Sequence, residues 1–290
     1  MTTLQIGDQT LDYNQHTDGD TPVIFIHGIM SCQYTWLDFP LRFARYGRIV
    51  TLSLPGHYPA RFSSDMPQSS ITDEWVGDTM AAAIEQISAG KPAILIGHST
   101  GGYASLAAAW RAPHLVKYVI SLAGFARGIW TSFLGVNQRL LSLGKPGEVL
   151  FDAQMKLSTR NAVVVDAAWR LCSYDKVAFD ANSVYRAMRP KIMSHLSHLD
   201  VESLRKWFYQ MRNVADLTPH LSAIMVPVLA IAGEQDILVP PEQTVHIVNG
   251  VVNGTCILLD KMNHALFVEQ PERVQKCMME WLDAQAENGA

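Results

Sequence analysis

Short, continuous apolar runs separated by stretches with helical spacing dominate both ends of this chain. Pro22–Ile26 and residues 48–54, 92–96, 116–123, 226–232 and 256–259 read as strands, most of them apolar enough to be covered on both faces. Between them, residues 35–46 carry Trp36, Phe39, Leu41 and Phe43 at helical spacing, and residues 70–88 form an amphipathic pattern behind a Ser/Thr/Asp cluster suited to capping. An Ala-rich stretch to about Arg111 and residues 271–284 read as further helices. Strands joined through helices predict an α/β fold: a mostly parallel central sheet with helices on both faces and right-handed crossovers. Leu4–Ile6 and Thr10–Tyr13 alternate weakly around Gly7-Asp8, which predicts a short hairpin at the sheet edge.

From Phe125 to about His220 this alternation stops. Residues 162–172, 178–188 and 201–214 read as helices, and no buried strand is evident. The pattern predicts a core domain formed by residues 1–124 and 215–290, with a helical cap, residues 125–214, inserted between its two halves. The cap is rich in aromatic side chains, most of which must pack between its helices. Trp130, Phe133, Trp169 and Trp207 are the ones taken here as candidates for lining a substrate pocket.

With 290 residues and 48% apolar content, the chain can bury a large core. A net charge of -4 gives no reason to expect a nucleic-acid partner. No apolar run approaches the eighteen or so residues of a membrane span, and the polar start lacks the pattern of a signal peptide. A cytoplasmic protein is expected. Cys32, Cys172, Cys256 and Cys277 lie far apart, without metal-type spacing, and read as buried free thiols. The stretch from Phe125 to His220 holds 13 Lys and Arg against 8 Asp and Glu, an asymmetry that suits either a solvated helical face or an anionic or carrier-linked acyl substrate. His195 and His198 could share one helix face, but no further metal ligand accompanies them, so no metal is expected.

Candidate chemistry concentrates at Gly97-His98-Ser99-Thr100-Gly101-Gly102, where a strand breaks and a helix begins. Projecting a serine hydroxyl from such a turn forces a crowded backbone, so the residues two positions either side must be small. The Thr100 N–H, at the first turn of the helix, would face charge developing on a substrate carbonyl oxygen. His27-Gly28 ends another buried strand, and the N–H of Ile29, or alternatively Met30, could face the same point. Asp236 follows the strand at 226–232 and could orient an imidazole, with Glu234 as its rival. His264 follows the last strand and can reach back over Ser99. His57, in a Pro-Gly turn, reads as a surface or packing residue.

Together, His27-Gly28, Gly97 to Gly101, Gly233-Glu234-Gln235-Asp236 and Asn263-His264 resemble the signature of the α/β-hydrolase superfamily, in its order Ser, Asp, His and over nearly the whole chain. Many relatives end the strand after the first helix with D-x-P-G-x-G-x-S, whereas this chain has Ser53-Leu54-Pro55-Gly56-His57-Tyr58. Some carry the acid one strand earlier, but Gly124 to Trp130 contains no carboxylate. Capped dehalogenases and epoxide hydrolases use Asp at the elbow, so Ser99 argues against both, and Ile29-Met30 departs from perhydrolase-like relatives. The resemblance implies a cofactor-free serine hydrolase with a helical cap that cleaves a carboxylic ester or thioester of a mainly apolar small molecule. Two other expectations remain open: the same three side chains used for carbon–carbon hydrolysis, lyase chemistry or acyl transfer, and a small-molecule receptor with residual activity.

Overall fold

The computed structural model describes residues 1–288. Eight strands form one sheet: β1 (Thr2–Ile6), β2 (Gln9–Gln15), β3 (Pro22–Ile26), β4 (Arg48–Leu52), β5 (Ala93–His98), β6 (Val116–Leu122), β7 (Val228–Gly233) and β8 (Gly254–Leu259). Their order is β1-β2-β4-β3-β5-β6-β7-β8. The β1–β2 hairpin is antiparallel and joins β4 antiparallel at one edge, and the remaining pairs are parallel. β3, β5 and β7 are buried along their whole length, as expected of parallel strands covered on both faces.

The helices are α1 (Asp73–Ser88), α2 (Thr100–Arg111), α3 (Ser132–Leu141), α4 (Lys145–Arg160), α5 (Ala162–Leu171), α6 (Lys176–Asp180), α7 (Ser183–Leu196), α8 (Val201–Asn213), α9 (Glu242–Gly250), α10 (Leu266–Glu269) and α11 (Pro271–Asn288). α3 to α8 all lie between β6 and β7 in the chain. α5 to α8 start at side-chain caps: Asn161, Asp175, Asn182 and Asp200 each accept a hydrogen bond from the first turn, satisfying N–H groups that have no partner within the helix.

Strand order fixes where a site can form. The chain passes from β3 outward to β4 and then crosses back to β5 on the other side of β3, so the loops after β3 and β5 leave the same sheet edge in opposite directions. The crevice between them, at the carboxyl ends of two adjacent parallel strands, is the topological switch point at which doubly wound sheets bind their ligands.

Four sequence expectations require correction. The helix expected over 35–46 is two 3-10 segments, Gln33–Trp36 and Phe39–Tyr46. They are separated by Leu37 at φ 45°, and Pro40 in the second lacks the N–H an α-helix would use. The helix expected over 178–188 is broken, because Asn182 ends one hydrogen-bonded run and caps the next. α3 and α4 were not anticipated. In α4 the buried positions are Gly147, Phe151, Met155 and Thr159, while Val149, Leu150 and Leu157 are exposed, so apolarity does not mark the packed face. Cys256, expected to be buried, is exposed on the edge strand β8.

Candidate active site

Ser99 sits between β5 and α2 with φ 53° and ψ -118°, a left-handed conformation rare for a residue with a side chain. Close packing holds it there: a Cβ on Gly97 would lie 2.1 Å from the Gly101 carbonyl oxygen, and one on Gly101 would lie 2.2 Å from the Ile26 carbonyl oxygen. The Ser99 N–H donates to the Leu122 carbonyl at 2.8 Å, which anchors the turn to β6. Thr100 begins α2, so its N–H has no partner in the helix. Across the crevice, a Cβ on Gly28 would come within 3.1 Å of the Ser99 Cβ. The loop after β3 therefore passes directly beside the serine.

The two alternatives on that loop are separated by their hydrogen bonds. The Met30 N–H donates to His57 Nε2 at 3.3 Å, whereas among the described residues no acceptor engages the Ile29 N–H. His57 is fully buried rather than a surface residue. Its Nδ1–H donates to the Pro55 carbonyl, and burial lowers its pKa to about 4. His27 has a similar role one turn away, joining the end of β3 to β4 through the Leu54 N–H and the Gly28 carbonyl. Burial first, then the neighbouring His57, hold its pKa well below the usual value.

Asp236 and His264 meet in the loops after β7 and β8. His264 Nδ1 donates to Asp236 Oδ2 at 2.7 Å, and both residues are buried. Asp236 Oδ1 accepts the N–H groups of Leu238 and Val239, so backbone donors hold the carboxylate in place. Bonding through Nδ1 leaves Nε2 as the free nitrogen of the ring. His98 donates from Nε2 to the His264 carbonyl at 3.0 Å, while burial and then the nearby His264 lower its pKa to about 3. Glu234 is exposed and bonds through its backbone to Leu259, so it has no part in this contact.

The roles of Asn263, which the motif names only as the neighbour of His264, and of Glu269 emerge from the structure. The Asn263 amide oxygen accepts from the Ile237 and His264 N–H groups, and its amide nitrogen donates to the Leu171 carbonyl. One side chain thus joins the acid loop, the histidine loop and α5. Glu269 accepts the N–H groups of Asn263 and Tyr174, and burial pushes its carboxyl pKa up. The Asn-His pair was the only trace of this in the sequence.

Ser99 and His264 open on one cavity of about 360 Å³, whose far walls come from α3, α4, α5 and α7. Of the four aromatic candidates, Phe133 and Trp169 line it. Trp130 packs edge-on against Phe125 and Phe208, and the Trp207 indole N–H donates to the Pro55 carbonyl beside His57. Both are core residues. His195 and His198 pack on Tyr58, and among the described residues no group of three or more His, Cys, Asp or Glu is placed to hold a metal ion.

Residues 23–275 match the profile of the alpha/beta hydrolase family. The chain belongs to that family. Its hydrolase relatives include (E)-2-((N-methylformamido)methylene)succinate hydrolase of Acinetobacter baylyi, 22% identical over 97% of both chains. Pimeloyl-[acyl-carrier protein] methyl ester esterase of Pectobacterium atrosepticum is 24% identical over 88% of this chain and 91% of its own. Among solved structures, a thermophilic esterase from Thermogutta terrifontis superposes with a TM-score of 0.72 at 19% identity, covering 98% of this chain and 99% of its own. Among the described residues of this alpha/beta hydrolase, no helix is long and apolar enough to cross a membrane.

Proposed function

We propose that the protein is a serine hydrolase that cleaves a carboxylic ester or thioester of a mainly apolar small molecule through an acyl-enzyme on Ser99. The buried Asp236–His264 hydrogen bond, beside a cavity shared by His264 and Ser99, carries this reading. Residues 1–124 and 215–290 would form the catalytic core, and residues 125–214 the cap that shapes the acyl pocket.

In this mechanism His264 Nε2 takes the Ser99 proton as the oxygen attacks the acyl carbon. Asp236 holds the imidazole in the tautomer with hydrogen on Nδ1 and stabilises its cation. The carbonyl electron pair collects on oxygen, facing the N–H groups of Thr100 and Ile29, each worth roughly 3 kcal/mol in comparable acyl transfers. As that pair returns, the carbon–oxygen or carbon–sulfur bond breaks, and His264 gives its proton to the departing alcohol or thiol. Water, deprotonated by His264, then attacks the acyl-enzyme, and Ser99 leaves with the proton. Every step uses this chain's own groups and water.

The left-handed backbone at Ser99 supports the nucleophile role, since strain of about 1–3 kcal/mol at a non-glycine residue needs surroundings that hold it in place. The geometry favours Ile29 over Met30 as the second oxyanion donor, because His57 already occupies the Met30 N–H. A panel of nitrophenyl esters, thioesters and lactones, with products identified by mass spectrometry, tests the proposal. One acid and one alcohol or thiol per ester or thioester cleaved, and one hydroxy acid per lactone opened, is the expected result; substrates recovered unchanged, or cleaved only at carbon–carbon bonds, would count against it.

A further inference from the structure

The excess of cations between β6 and β7 does not reach the cavity, whose described lining residues include no Lys or Arg. It lies on the outside of α3, α4 and α5. From Thr131 to Leu171 every exposed charged residue is basic: Arg139, Lys145, Lys156, Arg160 and Arg170. The three acids of that stretch are half-buried and turn inward, Glu148 and Asp152 to Arg205 on α8 and Asp166 to Arg189 on α7. Lys145 and Arg170 keep acidic partners, Glu148 and Asp180. Among the described residues, Lys156 and Arg160 have none.

The same surface carries apolar groups. Leu143, Val149, Leu150, Leu157 and Val163, on the α3–α4 turn, α4 and the start of α5, are 56–74% exposed. Successive residues turn by about 100° around a helix, so Lys145, Lys156 and Arg160 share one edge of the outer face of α4 with Val149. Ala153, Leu157 and Leu150 follow in that order around the helix, and Gln154 comes next. Gln154, Ala167 and Leu171 are exposed and also line the cavity, which therefore opens to solvent between α4 and α5. Cations, aliphatic side chains and the cavity mouth thus succeed one another across a single face.

We propose that this face docks on an anionic lipid surface, with the mouth between α4 and α5 held against the lipid. Aliphatic groups flanked by Lys and Arg on one helix face are the layout of a helix that lies in a lipid–water interface, and anionic headgroups attract the basic side chains. A second copy seated on the same face would set cations against cations. A specific protein partner is held mainly through aromatic anchors, whereas the large apolar side chains exposed from Thr131 to Leu171 are all Val or Leu. Docking does not depend on the hydrolase reading above; only its consequence, that an apolar substrate held in the lipid would enter the cavity directly, rests on that reading.

Cosedimentation with vesicles tests the idea, using phosphatidylcholine alone and phosphatidylcholine with about one third phosphatidylglycerol. Binding to the mixed vesicles is expected to be about tenfold or more tighter than to the neutral ones, and about 0.5 M salt should remove most of that difference. Lys156→Gln combined with Arg160→Gln should weaken binding to the mixed vesicles about tenfold, and Leu150→Asn combined with Leu157→Asn should weaken binding to both kinds. Lys91→Gln combined with Lys117→Gln removes the same charge at the amino ends of β5 and β6, the sheet edge opposite the cavity, and should bind as wild type does. No association with either vesicle, an equal loss in this last variant, or binding that ignores both pairs of substitutions on α4 would overturn the inference. A dimer in sedimentation velocity that Leu150→Asn with Leu157→Asn disperses would give the face to a second copy and overturn it as well. Fluorophosphonate labelling of Ser99 is read separately, so docking and the hydrolase reading can fail independently.

Discussion

At the scale of single residues, hydrogen bonds separate candidates that sequence only ranks. Asp236 and Glu234 lie two positions apart on one loop, yet only Asp236 meets His264, with its second oxygen held by backbone donors. Asp236→Asn is therefore expected to lower kcat by about 10⁴-fold, by analogy with other hydrolases of this type, while Glu234→Gln stays within about twofold. Steady-state kinetics on one ester checks both, and the reverse ranking would assign the acid to Glu234. The buried histidines make a second expectation. With its pKa lowered to about 4 from 6.5, His57 is uncharged in the folded chain but protonates freely in the unfolded one. Its stabilising effect is complete above pH 6.5 and is lost as pH falls toward 4, on the order of 3 kcal/mol across that window. The buried carboxyls of Asp73 and Glu269, whose pKa values burial raises, act in the opposite sense. The difference between wild type and His57→Gln isolates the ring: the variant's melting temperature should fall less steeply between pH 6.5 and 4. Parallel slopes would contradict this. The role of His57 was not legible beforehand, because its partner, the Met30 N–H, is a backbone group on a distant loop.

At the scale of elements, the strands were legible and the helices between β6 and β7 only in part. β3, β5 and β7 are continuous apolar runs because helices cover both faces, and that signal survives in sequence without knowledge of their partners. α3 and α4 were hidden because Val136, Val149, Leu150 and Leu157 face outward while Asn137, Gln138 and Thr159 are buried. The turn from β5 to α2 was the clearest element of all, since its glycines answer to backbone contact rather than to side-chain packing. Gly97→Ala would drive a Cβ to 2.1 Å from the Gly101 carbonyl oxygen. With nowhere for backbone to retreat, a loss of about 3 kcal/mol or more, accompanied by loss of activity, is expected. Chemical denaturation measures the first quantity, and a variant as stable as wild type would mean that the turn relaxes freely.

At the scale of the whole molecule, the site follows from topology. The reversal of strand order around β3 sets the loops after β3 and β5 side by side, and β7 and β8 deliver Asp236 and His264 to the same sheet edge. Helices α3, α4, α5 and α7 close this edge into a cavity with mostly apolar walls. Fold and candidate side chains could be anticipated because each lies at the end of a recognisable strand. The character of the pocket could not, because it depends on which side chains of the segment between β6 and β7 turn inward: Phe133 and Trp169 do, Trp130 and Trp207 do not. The most direct measurement of the central claim is peptide mapping after exposure to a fluorophosphonate, with Ser99→Ala and His264→Ala treated alongside. A single phosphonyl adduct on Ser99, absent from the first variant and formed orders of magnitude more slowly in the second, is the result this account requires. An adduct on another residue, or equal labelling of Ser99 without His264, would contradict it.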